Sequence, residues 1–138
     1  MTYEELADRL HYPDEPAMQE LYIQTFEFNP ACTLEIGWHL FGENYERGEF
    51  LVRMRGLLRQ HGIAETTELP DHLTHVLQLI GRMEPVGEAV LPALEKIRLP
   101  DDNPYREVLD TVREKLTADF PNAPRRSPQL PILQKARL

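Results

Sequence analysis

The sequence predicts an all-α fold, with a single-domain helical bundle followed by a basic, Pro-rich tail. Apolar side chains within residues 1–118 recur three and four positions apart, the spacing that lines one face of a helix. Residues 34–40 alternate as a strand would, but no second strand is available to pair with them, and a lone strand would leave backbone groups unbonded. The length of 138 residues is enough for one modest core.

The N-terminal part of the chain is predicted to contain two helices and a shorter third one. Residues 2–10 and 15–28 have helical patterns, and Pro13 and Pro30 are expected to stop them. Residues 34–41 are expected to form a short helix, because the aromatic residue at the end of this segment widens its apolar face.

Residues 46–61 carry the clearest amphipathic pattern. Gly62 follows directly and is expected to close this helix, since glycine tolerates the backbone conformation needed just after a helix end. The predicted buried stripe consists of Phe50, Leu51, Met54, Leu57 and Leu58.

Two later helices are predicted, and the positions of prolines and charged residues indicate where they begin or bend. Residues 70–81 begin with Pro70, which suits a first helical position, and with Asp71, which suits the positive end of a helix. Residues 84–97 repeat the pattern, but Pro92 should kink or split this helix.

Asn103 is expected to cap the last helix, with Pro104 in its first position. Beyond that helix the charge changes sign: residues 1–118 carry 22 acidic and 11 basic side chains, whereas residues 119–138 carry one acidic and four basic ones. Residues 1–118 are therefore interpreted as the helical domain and residues 119–138 as an extended tail, since closely spaced prolines prevent a helix. The tail prolines are Pro121, Pro124, Pro128 and Pro131.

Composition and charge exclude several classes of protein. The formal net charge of −8 argues against a nucleic-acid partner, because phosphates repel an acidic surface. Cys32 is the only cysteine, so neither an intrachain disulfide nor a cysteine-based metal site is possible, and it is interpreted as a core residue. No secretory signal and no apolar run of about 20 residues is present, which predicts a cytoplasmic protein.

Catalytic patterns are scarce. The glycines form no phosphate-binding loop, and the only serine, Ser127, lies in the tail. His72 and His75 could present two imidazoles on one helix face, and a third ligand could come from elsewhere, for example His39. A small metal-dependent hydrolase using these histidines is therefore kept as an alternative. The other interpretation is that Asp71 caps the helix and both histidines form local hydrogen bonds.

Clustered aromatic residues predict an interaction surface. Five of the eleven aromatic side chains lie within the 20-residue stretch 22–41, and they form either plain core or an apolar groove for another polypeptide. Nearby acids would give such a groove a negative rim and favour a basic ligand. The aromatic set includes Tyr22, Phe26, Phe28, Trp38 and Phe41, and the expected rim consists of Glu35, Glu43 and Glu46.

Four ordered segments share a known pattern. Residues 22–28 have the sequence YIQTFEF, residues 45–48 YERG, residues 68–72 ELPDH and residues 105–110 YREVLD. Together they resemble the NarJ branch of the NarJ/TorD family, the dedicated maturation chaperones of molybdenum enzymes. One departure is Glu27, which stands where the family usually has aspartate.

The resemblance implies an all-α protein with no catalytic activity and no cofactor of its own. Family members bind the N-terminal segment of an apo catalytic subunit in the cytoplasm until the molybdenum cofactor is inserted, and the NarJ branch serves respiratory nitrate reductase. The chain is shorter than typical members, so a homodimer, a groove closed by the tail, and a purely structural dimerisation module all remain open.

The resemblance also assigns candidate peptide-binding residues. Tyr22 and Phe26 would line the groove, and the ELPDH segment would border it, whereas two further aromatic residues are added because they cluster nearby. The predicted peptide-binding set is Tyr22, Phe26, Trp38, Phe41, Glu68, Pro70, Asp71 and His72.

Overall fold

The computed structural model describes residues 1–82 and 86–123, and in these ranges the chain is all-α, as the sequence predicts. The one β pairing in the described part is an isolated antiparallel bridge between Glu35 and His72. The α-helices of this part are α1 (Tyr3–Arg9), α2 (Pro16–Tyr22), α3 (Ile36–Phe41), α4 (Tyr45–Gln60), α5 (Leu73–Gly81), α6 (Gly87–Leu94) and α7 (Pro104–Asp119).

The helix predicted over residues 15–28 is confirmed, but its second half is wider than an α-helix. A π-helical turn, Ile23–Glu27, continues α2, and the N–H of Phe28 donates to the carbonyl of Ile23 at 3.0 Å. A 3-10 turn, Pro30–Cys32, follows. The π turn buries Phe26 and leaves the two residues after it exposed, so the chain leaves α2 with an aromatic side chain facing inward.

The predicted end of α4 is confirmed, and so is most of its buried face. Four residues of the expected stripe are buried, namely Phe50, Met54, Leu57 and Leu58, whereas Leu51 is only half-buried. Gly62 has φ +67°, and its N–H donates to the carbonyl of Arg59. The N–H of Ile63 reaches back to Leu58 at 2.9 Å, which completes a Schellman motif.

The start of α5 was predicted wrongly. Pro70 and Asp71 lie in a turn, and α5 begins only at Leu73, with His72 as the residue that caps it. The chain runs extended here because the carbonyl of Asp71 accepts from the N–H of Ile36 at 3.0 Å, a pairing that a helix from residue 70 would forbid.

The helix predicted over residues 84–97 is shorter in the structure, where α6 spans eight residues. Pro92 lies inside α6 and does not split it, and the helix ends two residues later, at Leu94. Pro85 lies outside the described residues, as does the tail from residue 124 onward.

The last helix begins as expected. The side chain of Asn103 accepts from the N–H of Tyr105 at 2.9 Å, and Pro104 occupies the first helical position. Cys32 is buried as predicted, with its Sγ 3.4 Å from the carbonyl oxygen of Arg98.

The core lies where α5 and α6 meet the other helices. α1 packs along α5, α3 packs against α4 and α6, and α7 covers α6. Aliphatic side chains fill this region, among them Leu6, Leu73, Leu77, Leu91, Leu94 and Leu109, which are fully buried. The packing leaves a hollow on one side, between the end of α2, α3, the start of α4 and the loop before α5.

Candidate functional site

An open cavity of about 450 Å³ lies beside the loop that precedes α5. Its walls come from sequence segments that are far apart: α2 with its π turn, residues 30–35, α3, α4 and residues 68–72. Three aromatic side chains, Tyr22, Phe26 and Trp38, contribute to these walls.

Five of the eight predicted site residues line this cavity. They are Tyr22, Phe26, Trp38, Glu68 and His72. Their assembly in one place is what the resemblance and the aromatic clustering together led us to expect.

The other three predicted residues lie elsewhere. The half-buried ring of Phe41 packs against Phe50, with ring centroids 5.6 Å apart. Pro70 and Asp71 are buried and do not line the cavity. They lie in the turn that carries Glu68 and His72, and they help to position those two side chains at the cavity.

His72 and Tyr22 connect the two most specific sequence motifs by a hydrogen bond. Tyr22 Oη lies 3.0 Å from His72 Nε2, and both residues are buried. His72 Nδ1 accepts from the backbone N–H of Thr74 at 3.2 Å, so the proton of the neutral ring resides on Nε2 and is donated to Tyr22 Oη. Burial lowers the pKa of His72 to about 3, which keeps the ring neutral at physiological pH.

Tyr22 is also the centre of an aromatic cluster. Its ring meets those of Tyr12, Phe26 and Tyr105 edge to face, with centroids 5.4, 5.1 and 5.9 Å away. Such pairs favour one relative orientation of the rings, so the cluster fixes the inner wall of the cavity.

Asp71 does not cap the helix that follows it, contrary to the sequence-based expectation. Its Oδ2 accepts from the N–H of Gly37 at 2.9 Å, in the first turn of α3. The carboxyl group therefore accepts a hydrogen bond at the N-terminus of a helix more than 30 positions earlier in the chain. This contact holds the loop before α5 against the helix that carries Trp38.

Arg47 joins the same network from α4. Its guanidinium donates to Glu35 at 2.7 Å, lies 3.5 Å from Asp71 Oδ2 and sits 5.9 Å from the centre of the Trp38 ring. Burial raises the pKa of Asp71 to about 6, although the charge of Arg47 acts in the opposite direction. Arg47 thus holds α3, α4 and the loop together on one side of the cavity.

The negative rim consists of different residues from those expected. Glu35 lines the cavity as predicted, but Glu43 and Glu46 do not, and Glu27 and Glu68 take their place. Glu43 lies in the turn after α3 and Glu46 lies in the first turn of α4, and neither side chain lines the cavity. Sequence reasoning gave no role to Glu27, although it belongs to the YIQTFEF motif.

The two candidate metal ligands make local hydrogen bonds instead. His75 Nδ1 lies 2.8 Å from the carbonyl of Leu69, and its Nε2 accepts from the N–H of Thr66 at 3.1 Å. Both ring nitrogens of His72 are also engaged, with Thr74 and Tyr22. Within residues 1–82 and 86–123, no three His, Cys, Asp or Glu side chains are placed to hold a metal ion together. The geometry favours the interpretation in which these histidines are structural.

None of the helices in the described ranges has both the length and the apolar character needed to cross a membrane.

Sequence comparison with known proteins identifies relatives of this chain. Over 73 residues the chain is 34% identical to the nitrate reductase molybdenum cofactor assembly chaperone NarJ of Escherichia coli strain K12, and equally to the protein of that name from Escherichia coli O157:H7. The matched stretch is 52% of this chain and 30% of each relative, so it spans less than a third of the relatives' length. No solved structure matches the chain. The family model of the nitrate reductase delta subunit matches residues 1–118, and the chain therefore belongs to the nitrate reductase delta subunit family.

Proposed function

We propose that this protein is a dedicated cytoplasmic chaperone of respiratory nitrate reductase. It binds the N-terminal segment of the apo catalytic subunit and supports molybdenum cofactor insertion and assembly of the complex. Its role is binding rather than catalysis. Membership in the nitrate reductase delta subunit family and the names of the two relatives support this proposal.

The observation that carries the proposal is the convergence of two motif segments on one cavity. Tyr22 and Phe26 come from one segment and Glu68 and His72 from another, yet all four line the same hollow. Aromatic walls with a few polar groups are typical of sites that bind another molecule.

The size of the cavity limits what it can hold. A volume of about 450 Å³ suits a few side chains rather than a folded domain. The site therefore fits one short segment of a client, with a small number of side chains inserted and the rest of the segment lying across the rim.

Calorimetry with a synthetic peptide tests the proposal. The peptide comprises the first 20 residues of the nitrate reductase catalytic subunit from the same organism, and we expect micromolar binding, about −8 kcal/mol. Trp38→Ala should weaken binding at least tenfold, because it removes a half-buried wall of the cavity.

Tyr45→Ala is the matched control, since this aromatic side chain is 81% exposed and lies outside the cavity. Its affinity for the peptide should equal that of the wild type. An absence of binding heat with the wild type, or equal affinities for Trp38→Ala and Tyr45→Ala, would contradict the proposal.

A further inference from the structure

The cavity carries more negative charge than its own residues neutralise. Glu27, Glu35 and Glu68 all line it, but Arg47 is the only lysine or arginine among the described lining residues. The guanidinium of Arg47 is already engaged with Glu35 at 2.7 Å and with a buried aspartate behind the wall. Glu27 and Glu68 therefore face the cavity without a partnering cation among the lining residues.

The carboxylates influence one another across the cavity. Burial raises the pKa of Glu68, and the charges of Glu27 and Glu35 raise it further. Such mutual repulsion costs free energy, and a bound cation would relieve it. The charge pattern thus favours a cationic group.

The hydroxyl group of Tyr22 gives a second, independent indication of what the cavity binds. Tyr22 is only 2% exposed, and its Oη accepts the proton of His72 Nε2. Its own hydroxyl hydrogen has no acceptor within residues 1–82 and 86–123. A buried donor without a partner is costly, and Tyr22 lines the cavity, so a bound molecule that offers an acceptor oxygen would satisfy it.

We propose that the cavity is a subsite for one arginine side chain of a client segment. Its guanidinium is bound by Glu27 and Glu68, and a backbone carbonyl of the same segment accepts from the Tyr22 hydroxyl. This inference rests on the proposed function, because it presumes a polypeptide ligand. Arginine fits better than lysine, because its planar group can donate to two carboxylates at once.

Trp38 provides a direct readout of the subsite, because it lines the cavity and is the only tryptophan of the chain. Titration of the full chain with N-acetyl-L-arginine amide should give a saturable change in tryptophan fluorescence. N-acetyl-L-citrulline amide has nearly the same shape without the charge, and it should give no saturable change over the same concentrations. Equal responses to the two compounds would overturn the proposal.

Charge-removing variants locate the subsite. The double variant Glu27→Gln, Glu68→Gln keeps the side-chain volumes and should bind N-acetyl-L-arginine amide about tenfold more weakly. Glu43→Gln removes the same kind of charge outside the cavity and should bind as the wild type does. Circular dichroism checks that all variants are folded. Unchanged affinity in the folded double variant would contradict the assignment.

A peptide experiment separates this inference from the proposed function. In the 20-residue client peptide, each arginine is replaced in turn by citrulline, and the affinity is measured by calorimetry. One replacement should cost about tenfold in affinity for the wild type and much less for the double variant. A peptide that binds with no sensitivity to any replacement would overturn the subsite and leave the chaperone function standing. A response to the arginine compound, without any peptide binding, would support the subsite and contradict the chaperone function.

Discussion

At the scale of single residues, Asp71 shows how far sequence reasoning reaches. Its place in the ELPDH segment identified it as important, and its acidic side chain suggested a helix cap, which is correct in kind. The helix it stabilises is α3, however, through Gly37, and no local pattern indicates a partner 34 positions away. Capping rules describe neighbours in sequence, so they assigned Asp71 to the helix that follows it.

The buried carboxyl of Asp71 should make stability depend on pH. Its pKa is raised from 3.8 to about 6 in the folded chain. Between about pH 4 and pH 6 the unfolded chain has released this proton while the folded chain retains it, so stability falls as pH rises through this window. From pH 4 to pH 7 the wild type should lose on the order of 2 kcal/mol more than Asp71→Asn, which cannot ionise. Urea unfolding of both proteins at the two pH values measures this, and an identical pH dependence would contradict it.

The hydrogen bond between Tyr22 and His72 should contribute measurably to stability. Tyr22→Phe keeps the ring but leaves the buried His72 N–H without an acceptor, which should cost about 1–2 kcal/mol in the free energy of unfolding. Tyr105→Phe is the matched control, because its ring belongs to the same aromatic cluster and its hydroxyl has no partner in the described part of the chain. The control should change the stability by less than about 0.5 kcal/mol. Equal costs in urea unfolding would show that the hydrogen bond is unimportant.

At the scale of helices, α3 is fixed by a close approach that only glycine permits. A Cβ atom on Gly37 would lie 2.6 Å from Asp71 Oδ2 and 3.0 Å from the Phe50 ring. Both neighbours are buried, so neither can move away easily. The short helix that carries Trp38 is therefore held between α4 and the loop before α5.

Two alanine substitutions test this account of α3. Gly37→Ala should lower the free energy of unfolding by about 1–3 kcal/mol, because the added methyl group displaces Asp71 or Phe50. Gly56→Ala lies in the interior of α4 with open space around it and should instead raise stability by about 0.5–1 kcal/mol. Urea unfolding compares both with the wild type. Stabilisation by Gly37→Ala would show that the contact with Asp71 is loose.

The helices that could be predicted are those whose signals are local. For α4 and α7, apolar spacing and the terminal residues Gly62 and Asn103 gave correct limits to within a few residues. The π turn after α2 and the late start of α5 could not be predicted in this way. The late start depends on Ile36 and Leu34, which bond to the chain around Asp71 from a distant part of the sequence.

At the scale of the whole molecule, the sequence predicted the aromatic wall of the cavity but not the charged residues of its rim. Tyr22, Phe26 and Trp38, which the motif segments and the aromatic clustering indicated, lie around one hollow. The rim was predicted less well, because Glu43 and Glu46 are near the aromatics in sequence but separated from them by the turn after α3. Glu27 and Arg47 lie in motifs that were recognised, yet only the fold shows that they face the cavity.

The net negative charge of residues 1–118 should increase the association rate of a basic client segment. Residues 1–118 carry twice as many acidic as basic side chains, which attracts a positive segment from beyond contact distance. The association rate constant of the client peptide should fall about tenfold between 50 and 500 mM NaCl, while the dissociation rate changes less. Stopped-flow fluorescence of Trp38 measures both rates, and an association rate independent of salt would rule out electrostatic attraction.

Site-specific crosslinking tests the central claim most directly, namely that this cavity holds the leading segment of a nitrate reductase subunit. Pro30 is exposed at the cavity wall and can be replaced by the photoreactive residue p-benzoyl-L-phenylalanine. Irradiation with the apo catalytic subunit, followed by digestion and mass spectrometry, should join position 30 to the first 20 or so residues of that subunit. The same residue at the exposed position of Tyr45 should give no such product. Crosslinks from position 30 that fall mainly outside the N-terminal segment, or none at all, would contradict the account.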